Sequence, residues 1–462
     1  MIKFLCVVFI FNSLNLISQV IIKGTSIHKS STFEIGIISD YLTNEIDVLK
    51  KTTSDTLGRF HFSVDVDQEE KLFIKNQHHI GYLYAQPNAT YFIEFSDEDF
   101  SNFESDNEVE LIFFELDSND INYKILSFEH WLDKSLNILY PLKEKNAAEF
   151  LAEIRQFRRA VNKIYSHEEG SFFSDYVKYT LGVHIEELQD FASATEEDKF
   201  VFYLKDEPIR WRNDKYFGFV SNFYDKYFYR QSTGIRQEII HFLDQGNVSN
   251  VIKILKADSL IRSNELAEIV SLLLLQDLYF DRVITKVNML YFLDNYRLSE
   301  STMQSKKIAK NFYAKFNTLE AGDKLPEYAF DELKFRELAK KPIYIQFFNP
   351  SNLKCIAELS AMKKLEKTYG QYIQFITIYP KQEVYTKSEK IYLDQIKWKK
   401  IEVESDHSIW KDLEFFGFPH YVYVLPNLII GEMNALSPSP NGRYETIERT
   451  FFEHKRLMNG EE

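Results

Sequence analysis

Among the side chains of this chain that are suited to chemistry, the cysteine thiols are the most informative. The 462 residues include two cysteines, Cys6 and Cys355. Cys355 follows the apolar run Ile343-Tyr344-Ile345-Gln346-Phe347-Phe348 and then Asn349-Pro350-Ser351-Asn352, a turn and helix-start signal. That places its sulfur in the first turn of a helix, where the dipole favours a thiolate. Three readings of such a thiol stand side by side: a small apolar core residue, a reactive sulfur forming mixed disulfides or a sulfenic acid, or half of an intermolecular disulfide. Asn352 just before it is a residue type that caps helices well. The other candidates are plainer. His78 and His79 point to opposite sides of a strand and cannot chelate together. His184 and Glu187 share a helical face as an ordinary surface pair. Asp406-His407 reads as a cap and its neighbour, and His420 directly follows Pro419. There is no phosphate-cradling glycine loop, no Gly-x-Ser-x-Gly and no Cys or His cluster. No metal or cofactor is therefore expected.

The elements that must position these residues change character along the chain. Residues 20–108 carry short, partly alternating apolar runs such as 33–38, 60–64, 71–74 and 91–95, separated by turn formers such as Asp55-Thr56-Leu57-Gly58. That pattern predicts a β-sandwich. Over 109–319 glycine and proline become rare and apolar residues fall at helical spacing, as in Ile121, Ile125, Phe128 and Leu132. Asn119-Asp120 would cap the helix that starts with this run, and further helices are predicted over 147–165, 172–191, 216–228, 235–243, 264–278 and 300–316. No fixed period recurs, so the segment reads as an irregular helical bundle. From 320 to 462 strands and helices alternate. Strands are predicted at 343–348, 373–378, 421–425 and 428–430. Helices are predicted from Cys355 to Tyr369, over 387–396, from Asp406 to Phe416, and from Tyr444 to Leu457. This order implies a mixed sheet flanked by helices.

Composition narrows the function. Hydrophobic residues make up 45% and charged residues 27%, ordinary values for a globular protein. The formal net charge of −14 argues against a nucleic-acid partner, which needs a basic face. Met1-Ile2-Lys3 followed by an apolar run from Phe4 to Ile17 reads as a secretory signal peptide over 1–19, too short to be a spanning helix. The expectation is an exported protein, periplasmic or associated with the cell envelope, with no integral membrane segment once the signal is removed. The mature chain would then keep one cysteine and form no internal disulfide.

Several motifs stand in a recognisable order. Gly322-Asp323-Lys324-Leu325-Pro326 precedes the first strand of the last region. That strand ends in Phe347-Phe348, and Asn352-Leu353-Lys354-Cys355 begins four residues after Phe348. Ile356-Ala357-Glu358 comes next, and Gly417-Phe418-Pro419 precedes the penultimate strand. In this order they resemble the thioredoxin superfamily, most closely the exported TlpA-like disulfide reductases, over residues 320–462. The resemblance implies a Cys-x-x-Cys whose first cysteine is replaced by Asn352, Glu358 near the redox pair, and a cis-proline at Pro419 in a loop that can dock extended peptide. The proline that often follows Glu358 in the family is Ser360 here. The two preceding regions match, in arrangement only, what precedes this domain in related exported proteins.

Dithiol exchange needs two sulfurs, one to attack and one to release the mixed disulfide. A carboxamide at 352 supplies no thiolate, so the ordinary cycle cannot run within the chain. The implied function is a non-catalytic binding or envelope-associated protein, taking a peptide or protein partner at Phe348, Asn352, Glu358, Phe418, Pro419 and His420. The enzyme reading is a single-thiol oxidoreductase acting through Cys355. A purely structural envelope component is the third.

Overall fold

A computed structural model describes residues 18–76, 79–96, 107–188, 195–326, 329–330, 333–334, 340–382, 385–404, 407–413, 417–440 and 445–460. The Phe4–Ile17 run, His78, Asp406, Phe416 and Tyr444 lie outside these residues. The chain forms two compact units, 1–315 and 316–462. Among the described residues no helix is long and apolar enough to cross a membrane.

Among its described residues the first unit opens with nine strands: β1 Gln19–Ser26, β2 Thr32–Ile38, β3 Ile46–Thr53, β4 Arg59–Asp65, β5 Glu70–Lys75, β6 His79–Ala85, β7 Thr90–Phe95, β8 Asn107–Glu108 and β9 Leu111–Phe114. They form two sheets, ordered β4-β1-β7-β9 and β3-β2-β5-β6-β8. Alternation in β4 and β7 puts Phe60, Phe62, Val64, Tyr91, Ile93 and Phe95 inward, where they meet Phe33, Ile35, Leu72 and Ile74 of the other sheet in one core. Gly58 has φ +78, and a Cβ there would sit 1.9 Å from the Ser26 carbonyl oxygen, so the β-turn accepts only glycine. Two features differ from the sequence reading. β3, Ile-Asp-Val-Leu-Lys-Lys-Thr-Thr, is exposed or half-buried at every position, so it carries no sustained apolar alternation to detect. β9 pairs with β7 beyond residue 108, which moves the end of the sandwich past the expected boundary.

Eleven helices follow among the described residues: α1 Ile121–Lys145, α2 Ala147–Tyr165, α3 Phe172–Leu188, α4 Glu196–Tyr203, α5 Asp214–Phe223, α6 Tyr227–Arg230, α7 Thr233–Asp244, α8 Val248–Lys256, α9 Asn264–Phe280, α10 Lys286–Tyr296 and α11 Met303–Phe316. Asp120 caps α1, accepting from the Asn122 N–H. The single helix predicted over 216–228 is divided: α5 ends at Phe223 with Tyr224 as its cap, and Lys226, left-handed at φ 51, precedes the start of α6. The sandwich and the helices share one unit because polar residues stitch them together. Asn122 donates to the Tyr84 carbonyl at 2.8 Å and accepts from the Tyr84 N–H at 2.8 Å. Buried Asp40 in the β2–β3 loop accepts from Asn311 of α11 at 2.7 Å.

The second unit contains β10 Ala329–Phe330, β11 Leu333–Lys334, β12 Ile343–Phe347, α12 Leu353–Tyr369, β13 Gln374–Pro380, α13 Lys387–Gln395, β14 Lys399–Val403, α14 Ile409–Asp412, β15 His420–Leu425, β16 Ile429–Glu432 and α15 Glu448–Asn459. Its main sheet runs β14-β13-β12-β15-β16. β12, β13 and β14 are parallel, and β15 and β16 are antiparallel to their neighbours. All five residues of β12 are buried, as a central strand covered on both faces requires. Ile343, Ile345 and Phe347 pack with Ile376, Ile378, Val422 and Val424 on one side. Tyr344 packs with Met362 and Tyr369 of α12 and Phe451 of α15 on the other. β14 escaped the sequence reading because only Ile401 and Val403 break its run of charge, the signature of a protected edge strand.

Candidate functional site

The site lies where β12 hands over to α12. Asn352 has the extended backbone of an N-cap, and its side-chain oxygen accepts the Cys355 N–H at 3.1 Å. Its amide nitrogen donates to the Phe418 carbonyl at 3.3 Å. One side chain thus closes the start of the helix and ties it to the loop before β15. The Phe418–Pro419 peptide bond in that loop is cis.

Cys355 points inward. It is 0% exposed and packs with Phe348, Leu359, Leu393 and Ile396, with Phe418 partly covering the cluster. Its sulfur accepts the Asn349 N–H at 3.5 Å. Burial pushes the thiol up to about 11, against the pull of the Asn349 N–H and with a further rise from the Glu358 carboxylate. A thiol at that value is ionised in only about one molecule in ten thousand at neutral pH. The dipole assistance expected from the helix start is outweighed by loss of solvent. The buried stripe of α12 is Cys355, Leu359, Met362, Leu365 and Tyr369. Cys355, and not Ile356, therefore opens the packed face.

The other expected site residues divide. Phe348 is fully buried in the Cys355 cluster and lines no surface. His420 is buried too, its ring 5.5 Å from that of Phe347 across the β12–β15 pair. Both corrections have one cause: each residue sits at the end of a central strand, and the sheet is covered there on both faces. Glu358 is half-buried and accepts the Ser439 N–H at 3.0 Å, so it anchors the loop after β16. Phe418 and Pro419 are half-buried, and Gly417 is exposed. Sequence reasoning missed Leu353, which is 82% exposed beside Asn352. Helical phase would have found it, since 353 lies opposite the buried stripe set by 355, 359 and 362. Also missed was the buried chain in which the Trp398 indole N–H donates to Thr377 Oγ at 2.8 Å and Thr377 donates to Gln346 Oε1 at 3.0 Å. Among the described residues no group of three or more His, Cys, Asp or Glu could hold a metal ion.

Burial holds the His420 imidazole below its ordinary value, with the Leu413 backbone opposing. The folded ring then excludes a proton that the unfolded ring binds. Its contribution is complete above the unfolded value of about 6.5 and is lost as pH falls through the depressed folded value. Urea midpoints between pH 5 and 7.5 should fall toward acid in the native protein, with a shallower fall in His420→Gln. Equal slopes would show that this ring does not carry the effect.

Solved structures match part of the chain. The thioredoxin domain of a thiol-disulfide oxidoreductase from Bacteroides vulgatus is 18% identical, covering 26% of this chain and 91% of its own, with a TM-score of 0.23. A secreted disulfide oxidoreductase from Mycobacterium tuberculosis is 14% identical, covering 27% and 88%, with a TM-score of 0.22. A thioredoxin-like protein from Bacteroides caccae is 12% identical, covering 57% and 94%, with a TM-score of 0.27. No family model and no curated protein matches the chain.

Proposed function

We propose that residues 316–462 form a thioredoxin-type domain that no longer exchanges dithiols and instead binds a peptide or protein partner, in an exported protein of the cell envelope. One observation carries the reading: a carboxamide caps the helix where the attacking sulfur would stand, while the remaining sulfur is sealed in the core. The surface left at the helix start offers Leu353, the edge of Asn352, and the half-buried Phe418 and Pro419. An exposed leucine beside a half-buried aromatic and a proline suits an extended apolar peptide better than a small polar ligand. The Phe4–Ile17 run supports the exported location.

Insulin reduction and thiol labelling test the redox half of this reading. The native chain should show no turnover above dithiothreitol alone. An aromatic disulfide reagent should modify Cys355 only after the domain is unfolded. Rapid labelling of the folded protein, or turnover, would favour a single-thiol enzyme.

A further inference from the structure

Helix α2 buries Phe150, Ile154, Phe157 and Val161 on one face. The opposite face carries Arg155, Arg159 and Lys163, all exposed. At four-residue spacing they line one side of the helix over about 12 Å. The Lys163 carbonyl accepts from the Ser166 hydroxyl at 3.2 Å, but among the described residues none of the three side chains has a hydrogen bond or an acidic partner. That sets them apart from Lys124, Lys178, Arg210, Arg212, Lys215 and Arg230, each of which pairs with a carboxylate elsewhere in the unit. On and beside this face the exposed neighbours Ala152, Gln156 and Asn162 carry no negative charge. The result is an unneutralised basic strip on a chain whose formal net charge is −14.

We propose that this face of α2 docks on an anionic phospholipid surface. Most of an acidic protein is repelled by such a surface, and a face cleared of carboxylates can approach it. The four-residue spacing lets three charged heads reach a flat array of phosphates together. The attraction comes from charge, since the apolar side of α2 is already committed to the core. It therefore decays within a Debye length and weakens with salt.

Co-sedimentation of the full chain with vesicles tests it. Phosphatidylglycerol/phosphatidylcholine vesicles should bind the protein at low salt, while phosphatidylcholine vesicles should not. Half-molar salt should release it. The triple change Arg155→Gln, Arg159→Gln and Lys163→Gln should lower the bound fraction more than about tenfold. Far-UV circular dichroism should stay unchanged, because all three side chains are exposed and glutamine keeps the helix propensity. Should the triple variant misfold, the lipid and salt comparisons on the native chain decide alone. Four outcomes overturn the proposal: no binding to anionic vesicles, equal binding to neutral ones, binding that survives the triple change or salt, or capture by dextran sulfate without vesicle binding. The last would assign the strip to a soluble polyanion.

Discussion

Asn352→Cys should give measurable insulin-reductase turnover, where none is expected of the native chain. A cysteine at 352 would stand at the N-terminus of α12, half-exposed, where Asn352 now caps the helix. Thiols in such positions have pKa values lowered to about 3.5–7.5, so most of the new sulfur would be thiolate at pH 7. Buried Cys355, pushed up to about 11, stays protonated until its neighbour has formed a mixed disulfide. The fraction of attacking thiolate therefore rises about a thousandfold or more over the native chain. The substitution also gives up the cap on the Cys355 N–H and the tie to the Phe418 carbonyl, a loss of about 1 kcal/mol in stability. Turnover should appear with a slightly lower urea midpoint, and Asn352→Cys combined with Cys355→Ala should lose multiple turnover. A folded Asn352→Cys protein with no activity would show that the missing sulfur is not what silences the site.

The second large effect lies in the first unit. Asp214→Ala should destabilise that unit by about 3–5 kcal/mol, the cost of leaving a shielded charge without its partner. Asp214 accepts from Lys71 Nζ at 2.9 Å and from the Tyr84 hydroxyl at 2.9 and 3.0 Å. The two charged side chains are only 21% and 15% exposed, so water does little to screen the pair. Lys71 also lies over the rings of Tyr82 and Tyr84, 4.7 and 5.7 Å from their centroids. Without the carboxylate the ammonium and the Tyr84 hydroxyl both lose their main acceptor. Replacing both charges, as Lys71→Met with Asp214→Leu, should recover much of the loss, because no lone charge remains. Urea unfolding followed by far-UV circular dichroism measures each step. A cost under about 1 kcal/mol for Asp214→Ala would reduce the pair to a surface contact.

The residues that joined sandwich and helices were the least legible in the sequence. Asn122, Tyr84, Asp214 and Lys71 lie on separate elements, 143 positions apart at the extremes for the Lys71–Asp214 pair. Nothing in local spacing links them. Strands with alternating apolar residues, such as β4 and β7, could be read directly. β3 and β14 could not, because edge strands interrupt that pattern with exposed polar and charged residues.

By itself the sequence determined the chemistry open to this protein. A side chain's functional groups do not depend on the fold: residue 352 carries an amide, and residue 355 supplies the one thiol beyond the Phe4–Ile17 run. It also determined local structure, the start of α12 and the central strand before it, because caps and apolar runs act over a few residues. Only the tertiary structure decided which groups can be used. Exposure and ionisation depend on what distant segments place around a side chain. Leu393 and Ile396, far along the chain, close over Cys355 and hold its proton, while Phe348 and His420 are taken into the core and Leu353 is left in solvent.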